Sequence, residues 1–201
     1  MAEWQTRWPQ EPLPEREWGF KSLYAYKVFV GKKYYYMAYI YMMAVECENE
    51  IQCRNLASWW EQHKAITLSS GEKIICDTEV SKSDNTLNWW FSVYPLANDF
   101  PKHYARFPSG GPTSEKDAQE MNELTNIFYN LLRQRSDFRF GAADIEVVDF
   151  NNYENVSQEG FWTEDHSNII ISNEMWEKIK SPSFFQRFSK SHMWIPNKNF
   201  I

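Results

Sequence analysis

Residues 73 to 96 read KIICDTEVSKSDNTLNWWFSVYPL, and the rest of the chain takes its place around this stretch. Lys73 to Val80 and Leu87 to Leu96 are rich in β-branched and aromatic residues, whereas Ser81 to Thr86 is polar. Such a pattern predicts two strands joined by a turn. Trp89, Trp90, Phe91 and Tyr94 fall on the second strand, and rings of that size are expected to build the centre of a sheet.

Upstream, the spacing of apolar residues changes. Cys53, Leu56, Ala57, Trp60 and Lys64 fall at i, i+3, i+4, i+7 and i+11, which is one face of a helix over Glu48 to Lys64, with Ser69-Ser70-Gly71 as its stop. Before it, Ser22 to Val30 and Lys33 to Val45 read as two strands, and Gly31-Lys32 is placed to turn the chain between them. Residues 1 to 20 carry Pro9, Pro12 and Pro14 among Trp4, Trp8 and Trp18, which excludes a regular helix and predicts an extended arm pinned by its tryptophans.

Downstream, Asn98 to Thr113 holds three prolines and the pair Gly110-Gly111 and reads as a loop. Its Lys102, His103, Tyr104 and Arg106 could bind an anion, but the loop is more readily expected to pack over a sheet edge or to pair with the acidic segment downstream. A helix follows to about Arg135, opened by Ser114 with Asp117 three residues on and striped by Met121, Leu124, Phe128, Leu131 and Leu132. Phe138 to Phe150, bent near Gly141-Ala142-Ala143, and Asn168 to Ser172 read as strands. Ser172 sits where an N-cap belongs, ahead of Glu174 and a Met175, Trp176, Ile179 face. After Pro182 comes a last aromatic segment with Phe184, Phe185 and Phe188. The sum is an α+β fold of one domain over residues 21–201, preceded by the arm. Its mostly antiparallel sheet should have about five to six strands, packed against about two to three helices.

Composition removes several classes of function. No stretch has the roughly 18 apolar residues of a membrane span, and the opening residues lack the order of a secretion signal, so no membrane association is expected. The three cysteines, Cys47, Cys53 and Cys76, are odd in number and unpaired in spacing, which points to a reducing, cytoplasmic setting and to no metal site. A net charge of −6 discourages contact with nucleic acid. His63, His103, His166 and His192 stand in no catalytic motif; there is no nucleophile elbow, zinc helix or phosphate loop, and no cofactor is expected.

The most unusual feature is electrostatic. Between Arg139 and Lys178 there is no Lys or Arg, whereas Asp144, Glu146, Asp149, Glu154, Glu159, Glu164, Asp165, Glu174 and Glu177 all fall there. Either Arg133, Arg135 and Arg139 just upstream neutralise these acids, or a basic partner does. On the second reading Asp149, Glu154, Glu159, Glu164 and Asp165 form the partner-binding surface, with Phe161 and Trp162 as aromatic anchors.

Over residues 20 to 180 the plan resembles the small α/β immunity proteins that protect bacteria from polymorphic or contact-delivered toxins. The resemblance lies in the Tyr-rich opening hairpin, the strands around a long amphipathic helix, and the acidic segment closing in Ile169-Ile170-Ile171-Ser172-Asn173-Glu174-Met175-Trp176. It implies a non-enzymatic inhibitor that binds one toxin tightly in the cytoplasm, its acids occupying the basic active cleft of the toxin. Two other classes fit the composition. One is a hydrolase or sugar-active enzyme using carboxylates near Trp89, Trp90 or Trp162. The other is a scaffold component of a phage or secretion system that self-associates through exposed aromatics.

Overall fold

The computed structural model describes residues 27–30, 33–36, 41–83, 87–96, 115–145, 156–162 and 166–196. The arm of residues 1–20, the 98–113 loop and the Ser114 cap lie outside the described residues. Strands β1 (Lys27–Val30) and β2 (Lys33–Tyr36) pair antiparallel with Val30 opposite Lys33, as the Gly31-Lys32 turn predicts. The second strand of this hairpin ends at Tyr36, and Tyr41–Cys47 is a separate strand, β3, in another sheet. Residues 33–45 are rich in Tyr, with Ile and Val, and hold no Gly or Pro, so composition alone could not mark the division.

That second sheet has eight strands rather than five or six. To β3 it adds β4 (Ala65–Thr67), β5 (Lys73–Lys82), β6 (Trp89–Pro95), β7 (Phe140–Ile145), β8 (Ile169–Ser172), β9 (Gln186–Arg187) and β10 (His192–Ile195). Their order is β4-β5-β6-β3-β7-β8-β10-β9, and every neighbouring pair is antiparallel. The surplus comes from β4, β9 and β10, of three, two and four residues, which are too short for an alternating pattern to show.

One face of the sheet carries the two longer helices. Tyr41, Met43, Val45 and Cys47 of β3 point to it, as do Ile74, Cys76, Phe91, Val93, Ala143 and Ile170 from neighbouring strands. Helix α1 (Glu50–Trp60) is capped by Asn49, whose Oδ1 accepts from the Gln52 amide at 3.1 Å, and Glu50 lies in its positive first turn. It buries Cys53, Leu56 and Trp60, the spacing the sequence predicts, but ends at Trp60 rather than Lys64. The Ser69-Gly71 stretch instead turns β4 into β5, with Gly71 at φ +85°, a conformation glycine adopts without strain. Helix α2 (Glu115–Leu132) buries Ala118, Met121, Leu124, Phe128, Tyr129 and Leu132 on the same face. Its Tyr129 hydroxyl donates to the Asn168 carbonyl at 2.6 Å and accepts from the Ala143 amide at 3.1 Å, completing the ladder where β8 begins.

The other face is floored by small residues at its centre, because Ser92, Ala44 and Ala142 stand side by side across β6, β3 and β7. Trp90, Phe140, Ile171, Val156, Trp162, Met175, Ile179 and Phe185 form its core. Helix α3 (Asn173–Lys178) covers part of it and begins as predicted, Ser172 Oγ accepting from the Met175 amide at 3.2 Å. Gly141 is needed in β7, since a Cβ there would lie 2.7 Å from Val45 Cγ1 on the adjacent strand. All three cysteines are reduced and buried, and burial pushes the Cys76 thiol up to about 12.

His192 is buried in β10, its ring stacked on Phe138 at 4.0 Å. Nε2 lies 2.9 Å from the Phe138 carbonyl, so it carries the proton, and Nδ1 accepts from Ser191 Oγ at 2.9 Å. Burial holds this imidazole below its usual pKa, against the smaller opposing pull of the Phe138 carbonyl and Asp137. The unfolded chain therefore binds a proton here more readily than the folded one. The His192 contribution to stability is complete above pH ~6.5 and is lost as pH falls from there through the lower folded value. Urea unfolding at about pH 7.5, 6.5 and 5.5 should show this decline in the native protein and a shallower one in His192→Gln, whose amide can still donate to Phe138. Equal slopes would place the acid sensitivity elsewhere.

Candidate functional site

Between β7 and β8, residues 156–162 of the acidic stretch pack on the face of the sheet opposite α1 and α2. Residues 156–162 are seated there by aromatic packing. Trp162 is 5% exposed, lies 6.1 Å from Phe140 and 6.3 Å from Phe185, and donates its indole N–H to the Val156 carbonyl at 2.7 Å. The candidate anchor Trp162 is thus buried within the chain: a ring with its polar edge satisfied and its faces packed holds the segment down. Phe161 is half-buried, edge-on to Trp162 at 4.8 Å and stacked with His166 at 5.9 Å. It keeps surface that a partner could cover.

Of the predicted acids, Glu159 is exposed beside these rings and pairs with Lys180 at 2.6 Å, a contact open to water on both sides. Asp149, Glu154, Glu164 and Asp165 lie outside the described residues. The structure thus brings Glu159, Phe161 and Trp162 together.

The three arginines upstream of the run have other commitments. Arg133 lies over the rings of Phe188 and Trp194, 5.1 Å from each. Arg135 grips Asp137 with two bonds, Nε to Oδ1 at 2.9 Å and Nη2 to Oδ2 at 2.5 Å, and sits 5.3 Å from the Trp59 ring. Arg139 pairs with Glu46 at 2.7 Å, and Glu46 also accepts from Asn88 at 2.9 Å. Glu46 is fully buried at the end of β3, so this pair is part of the core.

Among the described residues, no group of three or more His, Cys, Asp or Glu lies close enough to hold a metal ion, and no helix is long and apolar enough to cross a membrane. His63, beside Trp59 and Trp60, His166, against Phe161 and Trp162, and His192, on Phe138, all rest against aromatic rings. No protein-family model, no curated protein and no solved structure matches the chain.

Proposed function

We propose that this chain is a non-enzymatic, immunity-type inhibitor that captures a basic protein, a toxin domain, through its acidic carboxyl-terminal third. One observation carries the reading: Arg133 and Arg135, two of the three arginines just upstream of the acidic run, are spent on Phe188, Trp194 and Asp137. Residues 140–177 themselves contain nine acids and no Lys or Arg, and a segment so charged steers and holds a cationic surface. Around Glu159, the Lys180 contact is exposed and weak enough to exchange for a partner's base. Phe161 supplies apolar area next to it.

The test is capture of the product of the adjacent upstream reading frame. The intact chain should bind it, and reversal of charge at Glu154, Glu159, Glu164 and Asp165 should weaken binding by about tenfold or more. Unchanged affinity after reversal rejects the acidic interface, and a neighbour that neither binds nor is inhibited rejects the immunity reading.

A further inference from the structure

The face of the sheet opposite α1 and α2, against which residues 156–162 pack, also holds acids remote in sequence from Glu159. Val80 and Cys76 of β5 turn towards the helices, so by the two-residue alternation Asp77 and Glu79 turn away from them. Both are exposed, and no ion pair among the described residues involves either. Asp77 spends one oxygen on the Thr78 amide at 2.9 Å. Lys64, whose charge reaches Asp77, is held by Glu61 at 2.7 Å. Across the ladder on β6, Tyr94 stands opposite Asp77 and Ser92 opposite Glu79, and directly opposed side chains on one face are neighbours. Ser92 is 3% exposed, and its hydroxyl has no hydrogen-bond partner although Glu79 is beside it.

Two uncompensated carboxylates, an aromatic ring and an unsatisfied hydroxyl share one small area, and each of them favours a cation. A carboxylate accepts charge-assisted bonds, a ring face attracts a guanidinium or ammonium group, and a hydroxyl oxygen accepts one more hydrogen bond. We propose that Asp77, Glu79, Tyr94 and Ser92 form a subsite for one basic side chain of a protein partner, an arginine above all because its planar fork can reach two carboxylates. This rests on the proposed capture of a basic protein, which it extends across the sheet from the acidic run to β5. The Tyr94 hydroxyl is consistent with the geometry: burial first, then Asp77 and Glu79, raise its pKa, so both carboxylates lie within electrostatic reach of the ring.

The experiment is an NMR titration of the isotope-labelled full chain with tri-arginine amide, using the neutral isostere tri-citrulline amide as control. Saturable shifts should appear at the amides of residues 77–81 and 91–94 with the arginine peptide and not with citrulline. Asp77→Asn with Glu79→Gln, both isosteric and exposed, should weaken that response by about fivefold, the scale of a few exposed charge contacts. Equal response in the double variant, or shifts confined to residues 144–165, overturns the subsite. The two readings fail separately. Loss of capture on reversing Glu154, Glu159, Glu164 and Asp165, with no response on β5 and β6, sinks only the subsite. A saturable β5–β6 response in a chain that captures no basic protein sinks only the inhibitor.

Discussion

Replacing Trp60 by alanine should lower the unfolding free energy by about 3 to 5 kcal/mol, a large part of what a domain of this size possesses. Trp60 is fully buried at the end of α1 and is the point at which helix, sheet and second helix meet. Its ring is edge-on to Phe128 of α2 at 5.6 Å, tilted on Phe91 of β6 at 6.4 Å and next to Trp59 at 5.9 Å. Truncation leaves a cavity walled by rigid rings on three elements, which cannot collapse together to fill it. The indole N–H has no hydrogen-bond acceptor, so Trp60→Phe sacrifices volume and no polar contact. Phenylalanine should therefore cost clearly less than alanine. Urea denaturation of the two variants tests this, and a loss below about 1 kcal/mol for alanine would show that the helical layer does not depend on this contact.

Arg139→Ala should cost about 3 kcal/mol or more, for an electrostatic reason. Glu46 has no exposed surface, whereas Arg139 retains 28% of its side-chain exposure, so the arginine carries the buried carboxylate's charge out towards water. Removing it leaves Asn88 at 2.9 Å as a neutral donor to a charge held among core residues. The double change Glu46→Leu with Arg139→Leu should recover most of the loss, because apolar groups of similar volume meet no desolvation penalty there. Exposed pairs such as Arg54 with Glu50 give the scale for comparison, well under 1 kcal/mol. A similarly small value for Arg139→Ala would mean that water reaches Glu46 in solution.

Much of this architecture could be read from the chain, and the parts that could not share a cause. Long periodic segments announced themselves: Cys53, Leu56 and Trp60, and the Met121, Leu124, Phe128, Leu132 stripe, are buried where their spacing puts them. The strand pair of residues 73–96 pairs as expected, with Cys76 opposite Pro95 and Lys82 opposite Trp89. Short edge strands such as β4 and β9 were missed because two or three residues carry no period, and their pairing is decided by neighbours distant in sequence. The burial of Trp162 is not legible in its acidic sequence neighbours. Composition gives polarity along the chain, while burial is decided by Phe140 and Phe185, far from it in sequence. The Asp77, Glu79 and Ser81 alternation in KIICDTEVSK did signal a polar face on β5, and register with Tyr94 and Ser92 is what turns that signal into a candidate site.

The 156–162 segment that carries Glu159 and the Asp77, Glu79 pair of β5 lie on the face of the sheet that lacks α1 and α2, and that arrangement ties the stability of the fold to its proposed use. Trp162, Val156 and Phe140 hold the carboxyl-terminal segment against the small-residue floor of β3 and β7. Surface charge on a seated segment is more effective than on a loose one, because less conformational freedom is lost when a partner arrives.

The claim that negative surplus draws in a basic partner is tested most directly by the ionic-strength dependence of the association rate with the upstream gene product. Between about 30 and 300 mM salt the on-rate should fall by about tenfold or more while the off-rate changes little, and charge reversal at Glu154, Glu159, Glu164 and Asp165 should flatten that dependence. An on-rate indifferent to salt, or one that falls equally steeply in the reversed variant, would contradict it.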